Sequence, residues 1–177
     1  MRARWVPRAT AAVLAACLGL SGCGFAPVYG TGGPSGHANA AATTALSSTT
    51  VEVLGERSNQ LLRQALQTRL ERFGGKAKST YVLTAPYGFA EDIAGVDVNT
   101  NVTRIRISGT SNWVLRDASS HAVVTSGMAR AVSGVNIFDS QFFATTQEIE
   151  VEQRMMAETL ADQIVSQIAT YFDAKAG

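Results

Sequence analysis

The sequence predicts an α+β domain with two layers, in which two helices cover one face of a four-stranded mixed sheet. Two observations predict this fold class. Apolar residues recur with a period of two in four stretches and with helical spacing in two others, and the order along the chain is β-α-β-β-β-α. A right-handed crossover makes the first two strands parallel, and hairpin connections make the remaining neighbours antiparallel.

The first strand is predicted at residues 49–54, where Val51 and Val53 share one side. A helix is predicted over residues 56–73, because leucine and phenylalanine recur there at helical spacing and Gly74 follows the last apolar position. Glycine at that position supplies the left-handed conformation that ends a helix. The helix therefore presents one apolar stripe to the sheet.

Three more strands are predicted, at residues 79–85, 102–116 and 122–132. The strand at 102–116 alternates most clearly. Its apolar face carries Ile105, Ile107, Trp113 and Leu115, and its polar face carries Arg104, Arg106, Ser108, Thr110, Asn112 and Arg116. One face therefore belongs to the core and the other to solvent. Residues 86–101 show no period and are predicted to form a long exposed loop.

The last helix is predicted over residues 145–172. Thr145 stands three residues before Glu148, which is the spacing of a capping box, and an apolar stripe follows. The stripe consists of Met156, Leu160, Ile164, Ile168 and Phe172. Three phenylalanines precede the helix: Phe138, Phe142 and Phe143. They either pack against the helix or face a partner.

Residues 1–22 are predicted to be a lipoprotein signal peptide. Three arginines precede an apolar run of 12 residues at 9–20, whereas a membrane-spanning helix needs about 20 such residues. The run is therefore expected to be removed. Without these three arginines the chain keeps 12 basic and 14 acidic residues, so it is slightly acidic. This balance excludes a polybasic nucleic-acid binder.

Cys23 follows Leu20-Ser21-Gly22 directly, and this pattern resembles the bacterial lipobox, in which the thiolate takes a diacylglyceryl group. Because Cys17 leaves with the signal peptide, Cys23 has no partner for an intramolecular disulfide. The alternative is an ordinary secreted thiol. A lipid anchor with several acyl chains holds a protein on a membrane effectively permanently. Gly24 favours the outer membrane, by resemblance to enterobacterial lipoproteins.

Residues 23–48 are predicted to be an acylated N-terminus and a flexible linker, and residues 49–177 the folded domain. The segment from residue 30 to 48 is rich in Gly, Ala, Ser and Thr, and it contains too little apolar surface to offset the entropy lost on ordering. His37 lies in this segment without a second metal ligand nearby. No metal site is predicted.

Catalytic motifs are missing from the sequence, which has no Gly-x-Ser-x-Gly elbow, no P-loop and no His-Glu-x-x-His run. The adjacent carboxylates of Glu91 and Asp92 are typical of a solvated loop. We therefore expect neither an enzyme nor a cofactor. Arg104 and Arg106 leave one strand face about 6.6–7 Å apart, and Arg116 has the same parity. Such a row is suited to binding phosphates bidentately. The alternative is a solvated face whose arginines pair with acidic residues of a neighbouring strand.

The run Cys23-Gly24-Phe25-Ala26-Pro27-Val28-Tyr29 resembles the start of the lipopolysaccharide-assembly lipoprotein family LptE. The layout of the later strands and the long terminal helix is similar to that family. The resemblance implies an outer-membrane lipoprotein that faces the periplasm, plugs and helps assemble the β-barrel LptD, and assists lipopolysaccharide transport. It also implies basic residues that contact lipopolysaccharide, and strand parity makes Arg104, Arg106 and Arg116 the candidates. The alternative is a lipoprotein subunit of another envelope lipid-transport system.

Overall fold

The computed structural model describes residues 36–52, 54–74, 78–99, 101–137 and 142–176. Three helices and five strands lie in this part of the chain. In chain order they are α1 (Gly36–Ser47), β1 (Thr49–Val51), α2 (Arg57–Glu71), β2 (Tyr81–Thr84), β3 (Gly88–Val96), β4 (Val102–Asp117), β5 (Val123–Asn136) and α3 (Phe142–Ala176). The predicted α+β class with a mixed sheet is confirmed.

Strand β4 is the centre of the sheet. Strand β5 pairs antiparallel along one edge of β4, while β2 and β3 pair antiparallel with successive parts of its other edge. Strand β1 pairs in parallel with β2, as a right-handed crossover through α2 predicts. The directions expected from the connections are therefore correct.

Strand β3 corrects the prediction of a long loop at residues 86–101. Gly88 and Gly95 break the alternation in sequence, and the register against β4 shifts around Gly95. Most of the strand is exposed on both faces, so it carries little apolar periodicity. The segment is a strand because its backbone pairs with β4, and a pattern of neighbouring residues does not reveal such pairing. The sheet therefore has five strands and not four.

Helix α1 corrects the second half of the predicted flexible linker, and the domain has three helices and not two. Ala42, Ala45 and Leu46 are buried, and α1 packs against α3. The composition of this segment did not predict a helix, because Leu46 is its one large apolar residue. The helix forms because alanine has the highest helix propensity and packing against α3 supplies the remaining stability. Residues 1–35, which include the predicted signal peptide and Cys23, lie outside the described residues.

The other two helices lie close to their predicted positions. Helix α2 ends as expected, because Gly74 has φ of 99° and its N–H donates to the carbonyl of Glu71 at 3.0 Å. Helix α3 begins three residues before Thr145, so the predicted capping box is wrong. Arg57 pairs with Glu150 near one end of α2 and Arg69 pairs with Asp162 near the other. The two helices therefore run side by side in the same direction.

The alternation predicted for β4 separates the two faces of the sheet. Ile107, Trp113 and Leu115 are at most 2% exposed, whereas Arg104 and Arg106 are exposed. Helix α3 supplies the opposite side of the core. Its buried stripe consists of Met156, Leu160, Ile164, Ile168 and Phe172, as predicted. The helices thus cover one face and leave the other to solvent.

Candidate functional site

The uncovered side of the sheet is the open face, which we define as the even-numbered residues of β4 with their neighbours on β3 and β5. Side chains alternate between the two faces of a strand, so burial of the odd-numbered residues 107–115 places the even-numbered ones on the other face, where they are exposed or half-buried. The open face therefore collects the polar side chains of three strands. It contains the three arginines that the sequence selected.

Arg104 and Arg106 lie on the exposed face of β4, as predicted, and the structure places them at one end of it. Their partners on β5 are Asn136 and Gly134. Gly134 leaves the space that Arg104 uses, because a Cβ built on that glycine would stand 2.9 Å from Nη2 of Arg104. The Arg104 guanidinium therefore reaches across the neighbouring strand.

Arg130 joins these two residues and was missed by the sequence reasoning. It is exposed on β5 opposite Thr110, which is four residues from Arg106 and therefore about 13 Å along the strand. Residues directly opposite each other on paired strands share a face. The predicted strand already included Arg130, but its alternation is weak, and only the register with β4 shows on which face the side chain lies.

Arg106 also has an acidic neighbour. Nη2 of Arg106 lies 3.9 Å from Oδ2 of Asp92 on β3, and the two side chains are 59% and 58% exposed. Such an exposed pair contributes about 0–1 kcal/mol. The sequence left open that these arginines pair with acidic residues of a neighbouring strand. Arg106 does so with Asp92, but the pair is long and exposed. The guanidinium keeps N–H groups that an anion can accept from.

Arg116 stands apart from the other arginines. It lies ten residues from Arg106 on the same strand, which corresponds to about 33 Å. Its Nη1 donates to the carbonyl of His121 at 3.4 Å, within the turn that joins β4 to β5. The structure therefore brings Arg104, Arg106 and Arg130 to one region of the open face and places Arg116 at the far end.

Aspartates fix the turns at both ends of β4. Hydrogen bonds from the Ser119 hydroxyl and from Ser120 hold the pKa of Asp117 far below its ordinary value. Hydrogen bonds from the backbone of Asn101, from its side chain and from the backbone of Asn99 lower the pKa of Asp97. Both carboxylates are therefore charged at neutral pH, and they hold the two hairpins that position the arginines.

The aromatic residues have mixed outcomes. Trp113 belongs to the core, and its Nε1 donates to Oε1 of Gln167 on α3 at 2.9 Å. Phe138 lies outside the described residues, and so do the side chains of Phe142, Phe143 and His37. In the described part of the chain, no group of three His, Cys, Asp or Glu residues is arranged to hold a metal ion. No described helix has the length and apolar composition needed to cross a membrane.

The fold is shared with solved bacterial lipoproteins. A protein from Caulobacter crescentus described as a lipoprotein has a TM-score of 0.59 and 22% identity, with 75% of this chain and 96% of that chain covered. A minor lipoprotein from Acinetobacter baumannii has a TM-score of 0.57 and 17% identity, with 69% and 90% covered. Rare lipoprotein B from Shewanella oneidensis has a TM-score of 0.52 and 15% identity, with 70% and 92% covered. These likenesses define the fold.

The family follows from the sequence. Residues 42–168, which are more than half of the chain, match the family model of LptE, lipopolysaccharide-assembly. The chain belongs to this family, as predicted, although the N-terminal run at residues 23–29 lies outside the matched residues. No curated protein sequence matches the chain at a significant level.

Proposed function

We propose that this protein is a non-enzymatic outer-membrane lipoprotein that binds lipopolysaccharide through the open face and seats in the lumen of the β-barrel LptD. Membership of the lipopolysaccharide-assembly family supports the general role. The grouping of Arg104, Arg106 and Arg130 on an exposed surface is the observation that supports the binding site.

Phosphate groups of a glycolipid suit this surface. Guanidinium groups donate two parallel hydrogen bonds to a phosphate, and charge-assisted bonds are about twice as strong as neutral ones. Asp92 is the acidic side chain that lies within ion-pair distance of these arginines in the described residues, at 3.9 Å from Arg106. A phosphate competes easily with such a long, exposed pair. Arg116 is too far away to share one head group with the others.

A charge-reversal experiment tests the binding site. The double change Arg104→Glu and Arg106→Glu removes charged donors and adds repulsion, so we expect lipopolysaccharide affinity to fall about 10- to 100-fold. Binding of purified lipopolysaccharide is measured by calorimetry, with circular dichroism to show that the fold persists. Unchanged affinity would remove these residues from the proposal.

Arg116→Glu is the control, because it reverses one charge on the same strand and face, and it is compared with the single variants Arg104→Glu and Arg106→Glu as well as with the double variant. We expect its affinity to stay within about two-fold of the unchanged protein, since screening at physiological salt acts over about 8 Å. A loss equal to that of the double variant would show that overall charge, and not the grouped arginines, determines binding.

The anchor and the barrel are tested separately. We expect intact mass of the protein extracted from membranes to show a chain that begins at acylated Cys23, and Cys23→Ala to carry no acyl chains. Extraction in mild detergent should yield LptD in near-stoichiometric amount. An unmodified N-terminus would contradict the anchor. Co-purification with the components of a different envelope transport system would favour the alternative role.

A further inference from the structure

Strand β5 has one edge bonded to β4 and one edge that faces away from it. The N–H of Ile137 donates to the carbonyl of Thr103 at 2.9 Å, so the odd-numbered residues of β5 bond to β4. The even-numbered residues from Ser126 to Asn136 therefore direct their N–H and C=O groups outward. An unpaired row of this kind is a template for another strand.

Glutamines of α3 occupy the middle of this outer edge. The side-chain amide of Gln163 accepts from the N–H of Arg130 and donates to its carbonyl, both at 3.1 Å. Gln167 donates to the carbonyl of Met128 at 3.1 Å. Gln163 thus gives Arg130 the two bonds that a neighbouring strand would give. The edge already binds peptide-like groups where the helix is close enough to supply them.

The edge opens beyond Arg130. Among the described residues, nothing hydrogen-bonds to the outward N–H and C=O groups of Val132, Gly134 and Asn136. A cavity of about 380 Å³ lies beside this stretch, between β5 and α3. Met155 of α3 and Val132 of β5 line it and are 55% and 54% exposed, and the Val132 side chain, opposite Ser108, lies on the open-face side. Open backbone groups therefore lie next to exposed apolar side chains.

Charge distinguishes the two sides of this groove. Glu152 on α3 and Arg130 on β5 both line the groove, and Arg130 lies opposite Thr110, so its side chain belongs to the open face. A strand added to β5 would turn alternate side chains toward α3 and toward the open face. Complementarity then requires apolar residues and one Lys or Arg on the side that faces α3. A small ligand would leave the row of backbone groups unpaired.

We propose that the outer edge of β5 at Val132, Gly134 and Asn136 is a docking site for an extended segment of a partner protein, which adds to the sheet as a further strand. Main-chain hydrogen bonds supply affinity in this mode, and the pockets for alternate side chains supply specificity. The site borders the phosphate-binding surface, because the Arg104 guanidinium lies over Gly134. Strand addition uses the outward backbone groups of β5 and not the arginine side chains, so it does not require lipopolysaccharide.

A second copy of this chain fits the edge poorly. Two β5 edges paired around Gly134 would bring the Arg104 guanidinium of each copy, which lies over Gly134, toward that of the other. Like charges placed opposite each other on paired strands are destabilising. Gln163 also interrupts the edge at Arg130, so the free stretch around Gly134 contains three outward-facing residues. The partner is therefore a different chain.

The test uses the full chain, purified in detergent, and an eight-residue capped peptide in which valine and threonine alternate and one valine is replaced by lysine. We expect saturable binding, with slower hydrogen exchange at the amides of Val132, Gly134 and Asn136. Two control peptides carry N-methyl groups on one or the other set of alternate residues. N-methylation should abolish binding only when it is on the residues whose N–H groups face β5. Equal binding of both control peptides, or no saturation at about 1 mM, would overturn the proposal.

Variants locate the site. Val132→Pro removes one outward donor without touching the bonds to β4, so we expect a loss of about 3- to 10-fold in peptide affinity. Ser126→Pro is the matched control, because it makes the same change at the other end of the same edge, and it should bind as the unchanged protein does. Glu152→Gln keeps the backbone and should weaken only the lysine peptide, not its all-neutral version. If the protein dimerised as its concentration rose, with slower hydrogen exchange at the same three amides, the occupant of the edge would be a second copy of this chain, and the proposal of a different partner would be wrong.

Discussion

The two faces of β4 differ in what their side chains contact, although they belong to one strand. On the covered face, Ile107, Trp113 and Leu115 lie against helices and are at most 2% exposed. On the open face, Arg104 and Arg106 meet solvent and one weak acidic neighbour. Neighbouring residues of β4 therefore serve different purposes: the buried ones stabilise the fold and the exposed ones are available for binding. Substitutions on the two faces should affect different measurements.

The largest expected effect comes from the covered face. Leu160 of α3 is fully buried and packs over β4 near Gly109. Leu160→Ala leaves a cavity and should lower the free energy of unfolding by about 2–5 kcal/mol in urea titrations. Arg106→Ala should change it by less than about 0.5 kcal/mol. Similar losses for both variants would show that the open face is also part of the core.

Two glycines of β5 sharpen the comparison, because the same methyl group meets different neighbours. A Cβ on Gly127 would stand 2.7 Å from Cζ2 of the buried Trp113 ring, so Gly127→Ala should destabilise by about 1–3 kcal/mol.

A Cβ on Gly134 meets only the end of Arg104, which is a flexible side chain in solvent. We expect Gly134→Ala to leave stability within about 0.5 kcal/mol and to reduce lipopolysaccharide affinity by displacing that guanidinium. Thermal unfolding and the calorimetric assay measure the two quantities. Equal destabilisation by both alanines would contradict the difference between the faces.

A smaller effect than those of Leu160→Ala and Gly127→Ala is expected within the helix layer, and it depends on pH. Arg69 of α2 binds Asp162 of α3 through Nε and Nη2, and this pairing lowers the pKa of Asp162. A carboxyl whose pKa is lowered in the folded state stabilises the folded protein at pH values above its ordinary pKa of 3.8. This contribution is lost as the pH falls through the pKa of the folded state.

Asp162→Asn should therefore lower stability by up to about 1 kcal/mol at pH 7. The difference between the variant and the unchanged protein should shrink below pH 4, in urea titrations repeated at each pH. A difference that stays constant with pH would mean that the loss comes from packing and not from the charge. Lys78, outside both helices, is exposed, and Lys78→Gln serves as the control charge change.

The sequence predicted the elements that carry their own periodicity. The alternation of β4 identified Trp113 as core and Arg104 and Arg106 as exposed, and the leucine spacing located α2. Helix α1 was missed because its burial depends on α3, and β3 was missed because its pairing depends on β4. Arg130 was missed for the same reason, since β5 gains its orientation from a register that a weakly alternating strand does not reveal.

The sequence alone determined the α+β class and the parallel and antiparallel directions of the strands, because periodicity and connection lengths depend on residues that are neighbours along the chain. It also determined the family, which a match over residues 42–168 shows. Only the tertiary structure decided that Arg130 joins Arg104 and Arg106, that Arg116 stands apart, and that one stretch of β5 keeps an open edge. These features depend on the register between β4 and β5 and on where α3 packs across the sheet. Contacts between residues distant along the chain fix both.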